Sequence, residues 1–101
     1  MAKDALQTDD DAAAIKRRAG ELRKELRGLG PLMRGSVVLI GTRNKQPCFS
    51  VNIKGKTHLL YLGRRREKQA KQYSQNDHRL QEIVEEMTLL NMRLLKLDGG
   101  Q

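Results

Sequence analysis

The sequence predicts an α+β fold, with an N-terminal helix, a three-stranded antiparallel β-meander and a long C-terminal helix in that order. Three observations predict it. Ile15, Ala19, Leu22, Leu26 and Leu29 recur at spacings of four, three, four and three, which is one apolar stripe of a helix. Phe49, Val51 and Ile53 alternate with Ser50, Asn52 and Lys54, the period of a half-buried strand. Tyr73, Asn76, Leu80, Ile83, Met87, Leu90, Leu94 and Leu97 alternate by three and four, a heptad seam whose polar exception is Asn76.

Residues 1–10 are polar and Asp-rich and are expected to form a disordered acidic tail. Residues 11–98 are expected to form a single domain. Its first helix covers 11–28, with Asp9, Asp10 or Asp11 supplying a capping oxygen at the start and Gly28, Gly30 and Pro31 ending it. The sheet covers 36–63. Val37 to Ile40 make a short β-branched run, closed by Gly41 and a turn over Arg43, Asn44, Lys45, Gln46 and Pro47. Lys54 and Gly55 make a two-residue hairpin turn in which Gly55 supplies a positive φ. After it, His58, Leu60 and Leu62 point one way and Thr57, Leu59 and Tyr61 the other. The last helix covers 64–97, with Ser74 and Asp77 marking either a break or a cap within it.

The heptad seam has two readings. It packs on the stripe of the first helix, or Leu80, Ile83, Met87, Leu90, Leu94 and Leu97 form the seam of a homodimer. Val84, Leu89 and Leu95 widen the apolar face beyond a two-helix contact, so both readings can hold together.

Charge is distributed unevenly. The net charge is +8, yet residues 12–71 alone hold +13 and residues 35–63 contain no acid. A field of that sign draws polyanions. Cations decorate the first helix (Arg17, Arg18 and Lys24 among them), both hairpin turns (Arg43, Lys45, Lys54, Lys56) and the start of the long helix (Arg64, Arg65, Arg66, Lys68, Lys71). These residues are the candidate phosphate contacts. A small sheet fits the major groove of duplex DNA, which makes Asn52, Ser50, Thr57 and His58 the candidate base-edge contacts. Three aromatic residues are too few for stacking on single strands, so a duplex, DNA or structured RNA, is the expected partner.

Other chemistry finds little support. One cysteine, Cys48, and two histidines, His58 and His78, lack metal-site spacing, so no metal or cofactor is expected. Glu82, Glu85 and Glu86 read as a solvated helix face rather than an acid–base pair, and no enzyme activity is expected. The start of the chain lacks the apolar run of a signal peptide, and no apolar stretch nears the roughly 20 residues of a membrane span. A cytoplasmic location without membrane association is therefore expected.

Two resemblances add to this. Ile53-Lys54-Gly55-Lys56, then Tyr61-Leu62-Gly63 and a helix bearing Ala70, resemble the arm-type DNA-binding domain of tyrosine recombinases over residues 35–73. That likeness implies a three-stranded sheet entering the major groove, followed by a helix. The stretch from Leu32-Met33-Arg34-Gly35-Ser36-Val37-Val38 to Leu89-Leu90-Asn91-Met92-Arg93-Leu94-Leu95 resembles an uncharacterised prokaryotic family often found near mobile elements, over residues 28–96. Its Cys-rich first hairpin is represented here by Cys48 alone. This second likeness implies transposon, phage or plasmid biology without naming an activity; an accessory or regulatory factor of a mobile element or phage is the expected role. The partners that follow are nucleic acid, a second copy of the chain and a larger nucleoprotein complex. The alternative is a basic adaptor or inhibitor that docks on the acidic, nucleic-acid-binding surface of a larger complex.

Overall fold

The computed structural model describes residues 11–99, so the acidic tail expected over residues 1–10 lies outside the described residues. Helix α1 covers Ala12–Arg27. Asp11 caps it: its backbone is extended (φ −82°, ψ 118°) and its carboxylate accepts the Ala13 amide at 3.0 Å. At the other end, the Gly28 amide returns to the carbonyls of Lys24 and Glu25.

Strands β1 (Ser36–Ile40), β2 (Gln46–Ile53) and β3 (Lys56–Tyr61) form an antiparallel sheet in the order β1-β2-β3. The meander is as expected, but Gln46 and Pro47 belong to β2 and not to the preceding turn. A proline is tolerated one residue inside a strand end, and the Pro47 carbonyl accepts the Leu62 amide at 2.9 Å. Helix α2 runs unbroken over Gly63–Gly99. The chain turns into it at Gly63, which has φ +69°.

Polar residues that suggested a break in α2 instead hold another segment. The Ser74 hydroxyl donates to the Gly35 carbonyl at 2.8 Å, and the Asn76 amide nitrogen donates to the Pro31 carbonyl at 2.9 Å. The Met33 amide donates to the Tyr73 carbonyl at 3.1 Å. These bonds fasten the connection between α1 and β1 along one turn of α2. With tertiary partners for their side chains, Ser74 and Asn76 have no cause to compete with the helix backbone.

The chain divides into two compact units, with α2 contributing to each. One comprises α1 and Leu29 together with α2 from Leu80 onward. Its core is Ile15, Ala19, Leu22, Ile83 and Leu90, flanked by Leu26, Leu29, Met87 and Leu94. Four residues of the heptad seam are thus packed from within the chain: Ile83 and Leu90 are 0% and 3% exposed, and Met87 and Leu94 pack around them, whereas Leu97 is 47% exposed. The stripe on α1 has matching spacing and is tethered, so its effective concentration exceeds that of a second chain.

The other unit is Gly30–Arg79. Phe49, Leu62 and Ala70 form its core, with Met33, Val37 and Val51 around them. Gly35 is fixed by this packing. Its φ is +152°, and a Cβ there would lie 2.5 Å from the Ser50 carbonyl oxygen and 2.7 Å from the Phe49 ring. Gly35→Ala is therefore expected to cost at least about 2 kcal/mol, from combined strain and overlap. Ser74→Ala, which strips a half-buried carbonyl of its donor, is expected to cost about 1–2 kcal/mol. Urea unfolding of both variants checks these values.

Candidate nucleic-acid interface

The strand register sorts the sheet residues onto two faces. Val37, Phe49 and Leu60 lie in one cross-strand row, as do Val51 and His58. This is the face that carries the core. The opposite face holds Val38, Cys48 and Tyr61 in one row, Ser36, Ser50 and Leu59 in the next, and Asn52 with Thr57 at the end. Ile40 and Gln46 complete it. Every one of these ten side chains is uncharged; they offer hydroxyls, amides and apolar groups.

Cations stand at the two ends of this face. At one end the β1–β2 turn carries Arg43 and Lys45, both exposed. The same end holds the Tyr61 hydroxyl, which donates to Gln46 Oε1 at 3.2 Å, so Arg64 and Arg65 just beyond β3 belong here too. They line a cleft of about 530 Å³ with Leu62, Gly63, Arg66 and Gln69. At the other end stand Lys54 and Lys56. Arg34 joins them, its Nη2 donating to the Asn52 carbonyl at 2.9 Å. Six residues of β3 separate the two ends by roughly 20 Å.

Lys54 has an unusual backbone. Its φ is +52° and that of Gly55 is +81°, so both turn residues are left-handed, as a type I′ turn demands. Asparagine or glycine is the ordinary occupant, and a lysine there costs of order 1 kcal/mol. The Asn52 side chain steadies the turn by accepting the Gly55 amide at 3.1 Å. A strained residue kept at an exposed tip directs attention to its side chain, which here is a cation.

The residues singled out from the sequence separate into distinct groups. Arg43, Lys45, Lys54, Lys56, Arg64, Arg65 and Lys68 are exposed in the sheet unit. Arg66 serves the fold instead. Its Nε donates to the Leu62 carbonyl and its Nη2 to the Tyr61 carbonyl, both at 2.8 Å, which fastens the corner between β3 and α2. Lys71 is paired with Glu67 at 3.1 Å. Arg17, Arg18 and Lys24 lie on α1, in the other unit. Arg18 is occupied there: Nε and Nη2 meet both Glu86 oxygens at 2.7 and 3.0 Å, and Nη1 meets Glu21 at 3.1 Å. Those bonds, Glu86 first, raise its pKa further above the ordinary arginine value.

His58 requires correction as a partner of Asn52. It pairs with Val51, on the face opposite Asn52, Ser50 and Thr57, because alternate strand residues point to opposite sides. Three residues overlooked as contacts belong to the site: Arg34, Leu59 and Tyr61. The alternation of Thr57, Leu59 and Tyr61 signalled two of them, but apolar residues on a strand read as core. Leu59 and Tyr61 are in fact exposed, as is every residue of β3, Leu60 on the opposite face included. Nothing in the sequence marked Arg34, which reaches Asn52 across eighteen positions.

The charge count follows this division. Gly30–Arg79 carries eleven basic and two acidic residues, a net +9, whereas the rest of the sequence nets −1. The two acids are Glu67, paired with Lys71, and the buried Asp77. Among the described residues, no three His, Cys, Asp or Glu side chains come together as a metal site, and no helix is long and apolar enough to cross a membrane.

Arg18→Gln is expected to lower stability by roughly 0.5–1 kcal/mol, an effect that shrinks in high salt because the ion pairs are partly exposed. It is expected to leave heparin affinity unchanged. Thermal melts at two salt concentrations and heparin chromatography check both.

Comparison with protein-family models, curated proteins and solved structures gives no match for this chain.

Proposed function

We propose that the Gly30–Arg79 unit binds duplex DNA, with the uncharged face of its sheet in the major groove and the cations at both ends on the flanking phosphates. The observation that carries this reading is the uncharged, hydrogen-bonding sheet face rimmed by cations within a unit of net +9. Base edges in the major groove offer donors, acceptors and the thymine methyl group. Ser50, Asn52 and Thr57 match the first two, and Leu59 and Ile40 the third. Cations placed on that face would lose hydration without meeting phosphate; at the ends they meet both backbones. The groove is about 12 Å wide, so ends roughly 20 Å apart reach past its two rims. Structured RNA fits less well, because the A-form major groove is deep and narrow.

Under this reading the protein acts without catalysis, as a cytoplasmic accessory or regulatory factor of a mobile element or phage, within a larger nucleoprotein complex. A second reading has one observation in its favour. Ile40, Leu59 and Tyr61 are all more than two-fifths exposed on the rimmed face, and apolar groups ringed by cations also suit docking on an acidic protein surface.

Fluorescence anisotropy with duplex DNA, duplex RNA and heparin separates the readings. Duplex DNA is expected to bind best, with a log–log salt slope near about −5 if about six phosphates are neutralised. Arg64→Glu with Arg65→Glu is expected to weaken binding to all sequences by at least about tenfold, while Asn52→Ala alters sequence preference more than overall affinity. Equal affinity for all three polyanions, untouched by Asn52→Ala, removes groove reading and leaves the adaptor.

Lys54→Asn gives opposite signs in two assays. It is expected to raise unfolding stability by about 0.5–1 kcal/mol through a better turn, and to reduce the salt slope by about 1 through a lost phosphate contact.

A further inference from the structure

We infer that the outer face of α1 is a second DNA-contacting surface, which grips the phosphates of a duplex and reads no bases. This goes beyond the sheet reading and does not rest on it. Lys16, Gly20, Arg23 and Arg27 follow one another at four, three and four residues, so they share one line of the helix. Arg17 and Lys24, seven residues apart, share the line beside it. All five cations are exposed, and among the described residues none of them is held in an ion pair. The net −1 of the sequence outside the sheet unit conceals this segregation. Of the α1 acids, Glu21 takes Arg18 Nη1 at 3.1 Å and Glu25 has an interaction of its own. Asp98 of α2 lines the same groove as Lys16, but the two do not pair.

Gly20 is the second observation. It stands in the middle of the cationic line, and a Cβ there would meet nothing within 4 Å. Packing therefore does not call for glycine at this position, and glycine is a poorer helix former than alanine. What the missing side chain provides is a close approach. A strand of phosphates can come up against the backbone of α1 at Gly20 while Lys16 and Arg23 reach it from either side.

Three features select a DNA strand as the occupant. Five cations lie between residues 16 and 27, roughly 16 Å of helix, or about one for every 3 Å; one strand of a duplex carries a phosphate every ~3.4 Å. The two lines contain no apolar side chain, whereas the centre of a protein interface is apolar and poor in lysine. An anionic membrane is unsuited as well, because Ile15, Ala19 and Leu22 are buried in the core and α1 has no apolar face left to insert.

Fluorescence anisotropy of the full chain with two duplex DNAs of unrelated sequence tests this. The triple variant Lys16→Gln, Arg23→Gln, Arg27→Gln is expected to weaken both equally, by at least about tenfold, and to lower the log–log salt slope by about 2 or more. Met92→Glu with Lys96→Glu removes the same amount of positive charge at exposed positions of α2, and is expected to change affinity less than about threefold. Gly20→Leu alters no charge; it is expected to raise the melting temperature and to weaken both duplexes about fivefold. Far-UV circular dichroism checks that the helices are kept, and Lys16→Gln with Arg27→Gln replaces the triple variant if they are not. Wild-type affinity in the triple variant or in Gly20→Leu overturns the inference, as does an equal loss in the Met92→Glu, Lys96→Glu control. Binding to phosphatidylserine vesicles that the triple variant abolishes while DNA binding persists overturns it too. Arg64→Glu with Arg65→Glu reports separately on the sheet: if it weakens binding and the α1 variants do not, the sheet reading stands and this one falls, and the converse pattern leaves this one standing alone.

Discussion

Helix α2 has to satisfy two different cores along one continuous backbone. From Leu80 onward it presents Ile83, Met87, Leu90 and Leu94 to α1. Before that point it presents Ala70 to the sheet and Tyr73, Ser74 and Asn76 to the segment leading into β1. The change from apolar to polar contacts is dictated by what lies opposite. A helix stripe buries against another stripe, whereas a connecting segment has backbone carbonyls that need donors when they leave water. The loop from Pro31 to Gly35 therefore docks on hydroxyl and amide side chains, and glycine is the only residue type that fits at position 35 against Phe49 and Ser50. That docking sets the entry into β1, next to the Phe49, Leu62 and Ala70 core.

Covering one face leaves the other to define the candidate site. The exposed face keeps its polar groups uncharged and its cations at the margins, and the distinction has an electrostatic cause. A charge in the middle of an apolar and hydroxyl-bearing face is costly wherever that face leaves water, whereas a charge at its margin keeps part of its hydration. Two other cations act within the fold. Arg66 holds the β3–α2 corner through two carbonyls, and Arg18 holds α1 against Glu86. Guanidinium suits both roles because its donors form a planar fork. High net charge alone therefore overstates the binding surface.

Lys54 shows how local preference yields to position. The turn between β2 and β3 requires two left-handed residues, and Gly55 meets that requirement without cost. A lysine in the other place gives up turn stability and gains a cation at the extreme tip of the hairpin, close to Lys56 and Arg34. Conflicts between local rule and observed residue concentrate where function competes with stability.

Secondary structure was legible from the sequence because it follows from short-range periodicity. The stripe from Ile15 to Leu29, the alternation from Phe49 to Ile53 and the seam from Leu80 to Leu97 each mark an element that formed, with boundaries displaced by a residue or two except at Gln46 and Pro47. The tail over residues 1–10 stays outside what the structure describes. The hairpin tip and the rich cationic content of residues 30–79 were equally legible. What each side chain faces was not, since that depends on partners distant in the chain. The seam packs on α1 within the chain, His58 falls on the face opposite Asn52, Arg34 reaches across to β2, and Arg18 and Arg66 are held by acceptors that no spacing reveals. Periodicity fixes which residues share a face of an element; only long-range packing decides whether that face is core or surface, and which charges remain available to a partner.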